Sequence, residues 1–195
     1  MNRQITFQQY RAIDLTILAV MLALSQFVIH FASSVLYPEQ LYVVSPAAAM
    51  VAIVMMRWNG YAAIHAVLSG VLFTLFAGGT AQHFVIYGAG NLLCLPALLV
   101  LKIFGKERVR KDGLLSGVFG LAVQILMWLG RAGSAYLLGF APAACIGFIT
   151  TDILSGLFTL AIVWVVRRIE GLFEDQKHYL LRLESERQDE GRELF

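Results

Sequence analysis

Four short rows of polar and aromatic residues interrupt a chain that is otherwise apolar, and their spacing places each row along one side of a helix. His83, Tyr87 and Asn91 follow at four-residue steps; Gln124, Trp128 and Arg131 at steps of four and three; Asp152, Ser155 and Thr159 at steps of three and four; Gln26 and His30 at a step of four. Aromatic rings, amides, imidazoles and one charge of each sign are the ingredients of a pocket that holds a small molecule against apolar walls and orients it by a few polar contacts. Arg131 is the feature that would select a carboxylate or phosphate. The same residues also admit a structural reading, in which Arg131 and Asp152 neutralise one another and His83, Asn91 and Gln124 satisfy hydrogen bonds between helices. The sequence leaves both open. It carries no Gly-x-Ser-x-Gly elbow, no His-Glu-x-x-His, no paired-carboxylate motif and no phosphate-binding loop ending in Lys-Ser or Lys-Thr, so no enzyme activity is expected of the chain itself. No metal or other cofactor is expected either, since His30, His65 and His83 lack the short spacing of a metal site.

The elements that must carry these rows are membrane helices. Of 195 residues, 58% are hydrophobic and 14% charged, where a soluble chain carries about a quarter charged. From Leu15 to Leu101 only Glu39 and Arg57 are charged, and from Gly113 to Val166 only Arg131 and Asp152. The hydropathy pattern predicts six helices at roughly 12–32, 43–56, 59–77, 82–104, 114–136 and 145–168. The second is too short for the hydrocarbon and needs shielding by its neighbours. Arg57-Trp58-Asn59-Gly60 reads as a tight turn that makes a hairpin of helices two and three. No cleavable leader is expected, because the first apolar run lacks a small-residue cleavage site.

Basic residues are retained on the cytoplasmic side. With both termini inside, fourteen of the fifteen Lys and Arg are cytoplasmic and Arg131 alone faces outward. The outer face is then built from residues 33–42, 77–83 and 137–144, with Tyr37, Tyr42 and Tyr136 on or beside it. Residues 1–168 form the membrane domain. Residues 169–195 form a cytoplasmic tail, in which Ile169, Leu172, Phe173, Gln176, Leu180 and Leu183 recur at helical spacing, as if the sixth helix continued into an amphipathic one. That stripe could lie on the headgroups, pack under the bundle or meet a partner. Cys94, Cys145 and His65 read as packing residues.

In the first helix Ala19 and Ala23 are separated by three residues, a spacing that lets another helix approach closely. With these alanines, the turn Arg57-Trp58-Asn59-Gly60-Tyr61-Ala62-Ala63 and the polar start Thr151-Asp152-Ile153-Leu154-Ser155-Gly156, residues 10–168 resemble the substrate-binding S components of energy-coupling-factor (ECF) transporters. The resemblance implies a six-helix bundle in a bacterial or archaeal cytoplasmic membrane. It implies a water-soluble vitamin, cofactor precursor or similar micronutrient bound near the outer surface, with Arg131, Asp152, Asn91, Tyr87, His83, Trp128 and Gln124 as candidate contacts. It implies docking of Ala19 and Ala23 on a helical T component, and two cytoplasmic ATPases that supply the energy. The bilayer is the other partner, and no nucleic acid is expected. The tail is longer than usual for the family, and Met1-Asn2-Arg3 lacks the amino-terminal His motif of its metal-transporting members. Gln26 and His30 share a face with the two alanines, which ranks them low as ligands. The alternatives are a non-transporting scaffold, similar to the six-helix subunit of bacterial rod-shape machinery, and an intramembrane enzyme using His83 or Asp152.

Overall fold

The computed structural model describes residues 6–36 and 44–193, with side chains through residue 186. Among them there is no strand. We number the helices α1 Phe7–Leu36, α2 Ala47–Trp58, α3 Ala62–Phe76, α4 Ala81–Phe104, α5 Lys106–Lys111, α6 Gly113–Leu137, α7 Pro142–Thr150, α8 Ile153–Val166 and α9 Gln176–Glu193. Five helical runs are long and apolar enough to cross a membrane: α1, Ala47–Phe76, α4, α6 and Pro142–Val166. The protein is a helical membrane bundle by length and composition. Tyr37 and Tyr42, expected on the outer face, lie outside the described residues, as does Arg3.

The run Ala47–Phe76 is folded back on itself. Trp58 packs against the rings of Phe7 and Tyr10 at the start of α1, with centroids 5.6 and 6.1 Å away. Ser45, just before α2, instead lines a cavity with Phe73 near the far end of α3. The chain reverses at Asn59, whose φ of 53° is positive, uncommon for a residue other than glycine. The hairpin expected from Asn59-Gly60 is present, with Asn59 rather than Gly60 taking the unusual conformation. Every residue of α2 is buried. Its 12 residues span about 18 Å, less than a bilayer's hydrocarbon, and the neighbours that cover it remove the need to meet lipid.

Two helices expected to be regular are not. In α4 a π turn over Phe84–Ala89 passes into 3-10 turns over Gly90–Ala97, with Pro96 inside. The predicted sixth helix is interrupted at Thr151 and Asp152 and divides into α7 and α8.

The tail does not prolong α8. The helix ends at Val166, the chain turns at Gly171 with φ +73°, and α9 begins at Gln176. Between them Phe173 is fully buried, 6.4 Å from Phe119, so of the three placements open to the tail its first part packs under the bundle. Polar contacts hold it there. Arg57 binds Asp14 through two nitrogens, at 2.9 and 2.5 Å, and donates to the carbonyls of Gly171 and Leu172. Trp58 donates to Asp14 at 2.5 Å, Tyr10 to Gln176 at 2.8 Å, Lys106 pairs with Asp175 at 2.6 Å, and Arg110 pairs with Glu174. A continuous helix would leave Lys106, Arg110 and Tyr10 without their tail partners, which explains why a stripe of helical period runs through a bend. The start of α1, the α2–α3 turn, α5 and the residues after Val166 thus meet at one end of the bundle.

Candidate functional site

At the opposite end the polar rows converge. Arg131 and Asp152 are 4% and 5% exposed, and an Nη1 of Arg131 lies 2.6 Å from Oδ2 of Asp152. The two residues pair, the possibility the sequence left open. The same Oδ2 accepts from the Trp128 indole at 2.9 Å and the Gln124 amide at 3.3 Å, while Oδ1 accepts from the Ser155 hydroxyl. Asp152 also stands just before the first turn of α8, where the helix dipole favours negative charge. Its carboxylate is saturated with donors.

The network continues on both sides. Nε of Arg131 donates to Oδ1 of Asn91 at 2.7 Å, and the Asn91 amide nitrogen donates to the Ala66 carbonyl at 3.2 Å and to Oγ of Ser69 at 3.0 Å. Gln26 donates to the Ser69 carbonyl at 3.1 Å. On the other flank Thr159 donates to Gln124 at 3.0 Å, and the backbone N–H of Ser45 to Oγ of Ser155 at 2.8 Å. Residues from α1, α3, α4, α6, α8 and the entry to α2 are joined in this way. In a low-dielectric interior such a network is stable because nearly every group finds a partner. Two atoms do not. Oε1 of Gln26 is buried without a partner, and Nη2 of Arg131 has none among the described residues.

Backbone packing brings the rows together. A Cβ on Gly130 would lie 1.9 Å from the Gly90 carbonyl oxygen, and one on Gly70 would lie 2.2 Å from the Tyr87 carbonyl carbon. These glycines let α4 touch α6 and α3 backbone to backbone. Gly90 and Gly130 precede Asn91 and Arg131 directly, so this contact sets the reach of the Arg131–Asn91 bond.

Above the network is a cavity of about 20 Å³, room for one water, lined by Ser45, Phe73, Tyr87, Arg131, Phe148, Thr151 and Asp152. Tyr87 is its central wall. Its ring lies 4.6 Å from that of Phe73 and 5.7 Å from that of Phe148, and the Arg131 guanidinium sits over it at 5.1 Å. Of the candidates named from sequence, Tyr87, Arg131 and Asp152 line the cavity. Asn91, Gln124 and Trp128 support them from behind, each through the bonds above. His83 stands apart: it closes a capping box with Thr80 at the start of α4, its Nδ1 3.2 Å from the Thr80 nitrogen, and stacks on Tyr87 at 6.4 Å. Ser45, Phe73 and Phe148 have no counterpart among the candidates named from sequence, and Thr151 appears there only within the polar start of the sixth helix. Phe73 and Phe148 are indistinguishable in sequence from lipid-facing phenylalanines, and only Thr151, next to Asp152, had a neighbour that could have drawn attention to it.

Elsewhere, His65 is 1% exposed with Nε2 3.1 Å from the Leu15 carbonyl oxygen, and Cys94 and Cys145 are buried and unbridged. His30 rests against Phe76 at 6.4 Å, and Tyr136 is 64% exposed. Ala19 and Ala23 are half-buried beside the inward row Leu18, Leu22 and Gln26, while Val20, Met21, Leu24 and Phe27 face outward.

Fold and site together define a helical membrane protein with one buried polar centre beneath an aromatic cavity. The chain matches no protein-family model, no curated protein and no solved structure.

Proposed function

We propose that this protein is the membrane-embedded substrate-binding subunit of an ECF-type importer, with six spans and both termini on the cytoplasmic side. Its ligand is a water-soluble vitamin, cofactor precursor or similar micronutrient. The six spans count each arm of the α2–α3 hairpin separately. The orientation follows from charge: the end where Arg57, Lys106 and Arg110 meet the tail is the basic end, and Arg131 lies at the other.

The observation that carries this reading is the state of Arg131. A buried arginine with Nε and Nη1 committed keeps Nη2 without a partner and lines a cavity walled by Phe73, Tyr87 and Phe148. A second feature agrees with it. Helix interruptions at membrane depth are tolerated where they line a cavity or are buried in protein, and Thr151 and Asp152 form such an interruption in the cavity wall. Because Asp152 neutralises Arg131, the site asks for an acceptor oxygen or ring nitrogen on a planar body rather than for net negative charge. A cavity of about 20 Å³ holds no vitamin, so binding requires the three rings to part. Transport then needs the T component and its ATPases, with Ala19 and Ala23 on the docking side.

The same network favours a second reading, a non-transporting scaffold. A polar centre whose groups bond almost wholly to one another, below a space for a single water, is what a scaffold needs to fix its helix packing.

Ligand capture separates the two. The protein, gently purified and then denatured, should release one stoichiometric small molecule detectable by mass spectrometry, and that compound should raise the melting temperature of the refilled protein. Tyr87→Leu should weaken its binding at least tenfold, the cost of losing about 1.4 kcal/mol of ring contact. An empty, folded protein that no member of a vitamin library stabilises would leave the scaffold reading standing.

A further inference from the structure

At the cytoplasmic end the cations divide into two groups. Arg57, Lys106, Arg110, Lys111 and Arg182 each have a carboxylate partner. Arg167 and Arg168, like Lys102 and Arg108, have none among the described residues, and they directly follow Val166, the last residue of the apolar run Pro142–Val166. They therefore stand at the level where hydrocarbon gives way to headgroups.

Arg167 donates to the Lys111 carbonyl at 3.3 Å, while its Nε is shielded from solvent and has no partner. Its guanidinium lies against the first turn of α6, where a Cβ on Gly113 would come within 2.9 Å of Nη2. The neighbouring carboxylates are engaged elsewhere. Asp112 caps α6 through Leu114 and Leu115, Glu107 pairs with Lys111, and Glu170 pairs with Arg182. Arg168 is held over the indole of Trp164 at 3.8 Å, and that indole is 47% exposed. Around them Leu114 and Val165 are exposed at 77% and 52%. Two unpaired guanidiniums, an indole at the interface and apolar residues one step deeper match the parts of a phospholipid: anion, glycerol region and acyl chain.

We propose that Trp164, Arg167 and Arg168, with the start of α6, form a binding site for the headgroup of an anionic phospholipid of the inner leaflet. The site rests on the topology proposed above and not on substrate binding. The phosphate accepts from the accessible part of the Arg167 guanidinium, and Arg168 is kept at the same level by the indole.

The test uses the full chain in nanodiscs of mixed phosphatidylcholine and phosphatidylglycerol, with retained lipid identified by native mass spectrometry. Wild type should retain phosphatidylglycerol in preference. Each cation near an anionic surface is worth about fivefold, so Arg167→Gln with Arg168→Gln should reduce the preference roughly twenty-five-fold. Lys102→Gln with Arg108→Gln removes the same charge from two other unpaired cations and should leave it nearly intact. Equal losses in the two double variants would reduce the effect to the diffuse potential of the basic end and overturn the site, as would absence of any preference in wild type. Stabilisation of the lipid-free protein in neutral detergent by inorganic phosphate through the same arginines would assign the site to a free anion instead and refute the lipid. Arg168→Gln alone, on an exposed side chain, cannot unfold the bundle and should give a fivefold loss by itself. Ligand release and vitamin stabilisation are read independently, so failure here leaves the proposed function untouched.

Discussion

Replacing Arg131 by Met keeps most of the side chain's volume and removes its charge, leaving Asp152 ionised in a site where the two side chains are 5% and 7% exposed. Breaking a buried pair by deleting one partner costs about 3–5 kcal/mol. Asp152 would keep the donors of Trp128 and Ser155 and the favourable end of α8, which holds the cost toward the lower figure, while Asn91 loses the donor to its Oδ1. We expect about 3 kcal/mol, a large share of a marginal stability. The double variant Arg131→Met with Asp152→Asn removes both charges and keeps an acceptor for Trp128, so it should recover at least ~1 kcal/mol of that loss. Unfolding in mixed micelles titrated with dodecyl sulfate, followed by circular dichroism, measures all four members of the cycle. A single variant that costs less than about 1 kcal/mol would mean that Asp152 is hydrated and the pair exposed, and the sealed network would be wrong. The magnitude also governs the ligand assay: loss of binding in an Arg131 variant mixes recognition with stability, which is why Tyr87 is the better probe.

Gly130→Val should destabilise by about 1–3 kcal/mol, because its Cβ would collide with the Gly90 carbonyl, whereas Gly133→Val, with nothing within 4 Å, should change little; equal melting temperatures would refute the backbone contact. At the basic end, hydrogen bonding and charge from Lys106 outweigh the effect of burial and hold the Asp175 carboxyl below its usual range. A depressed carboxyl contributes stability above its ordinary pKa and loses it as pH falls through the lowered one, so the tail should loosen only in acid. Asp175→Asn should reproduce that loosening at neutral pH, with trypsin cutting after Lys177 or Arg182 roughly two- to fivefold faster; an unchanged rate would remove the pair from the clamp. Ala19→Trp with Ala23→Trp should spare ligand binding and block assembly with a co-expressed T component. Since both alanines are half-buried, the melting temperature must be measured beside it, and normal assembly would refute the docking role.

Most of what could be read from the sequence followed from periodicity and from the cost of polar groups in lipid. The helical class and the convergence of Arg131, Asp152, Asn91, Gln124 and Trp128 come from those two rules, while the Asn59 turn comes from its Asn-Gly pair and the burial need of α2 from its length. Spacing alone failed where backbone geometry changes. His83, Tyr87 and Asn91 make one stripe on an ideal helix, but the π and 3-10 turns of α4 re-aim them, so Tyr87 meets the cavity, Asn91 the network, and His83 caps the helix with Thr80 and touches the site only through the Tyr87 ring. Gly70, Gly90 and Gly130 are invisible to a hydropathy profile, yet they decide how close the helices come. The tail misled for the opposite reason, since its residues keep a helical period while ion pairs to α5 and the bond from Arg57 bend the chain at Gly171.

The interruption at Asp152 bears on what the centre is for. A scaffold needs Arg131 and Asp152 only as a neutral pair, and a continuous helix would present Asp152 to Arg131 equally well. Thr151 and Asp152 keep backbone bonds at the break, to the carbonyls of Gly147 and Ile149 at 3.1 and 3.3 Å, but the regular ladder stops there, and such interruptions at membrane depth are tolerated where they line a cavity or are buried in protein. The break opens on the cavity, beside the arginine nitrogen that has no partner and beneath the rings of Phe73, Tyr87 and Phe148. A ligand that accepts from Arg131 and packs on the Thr151–Asp152 turn would hold that turn in place. The bound form should therefore show slower amide exchange at residues 150–153 than the empty one, whereas a scaffold has one state and no such difference.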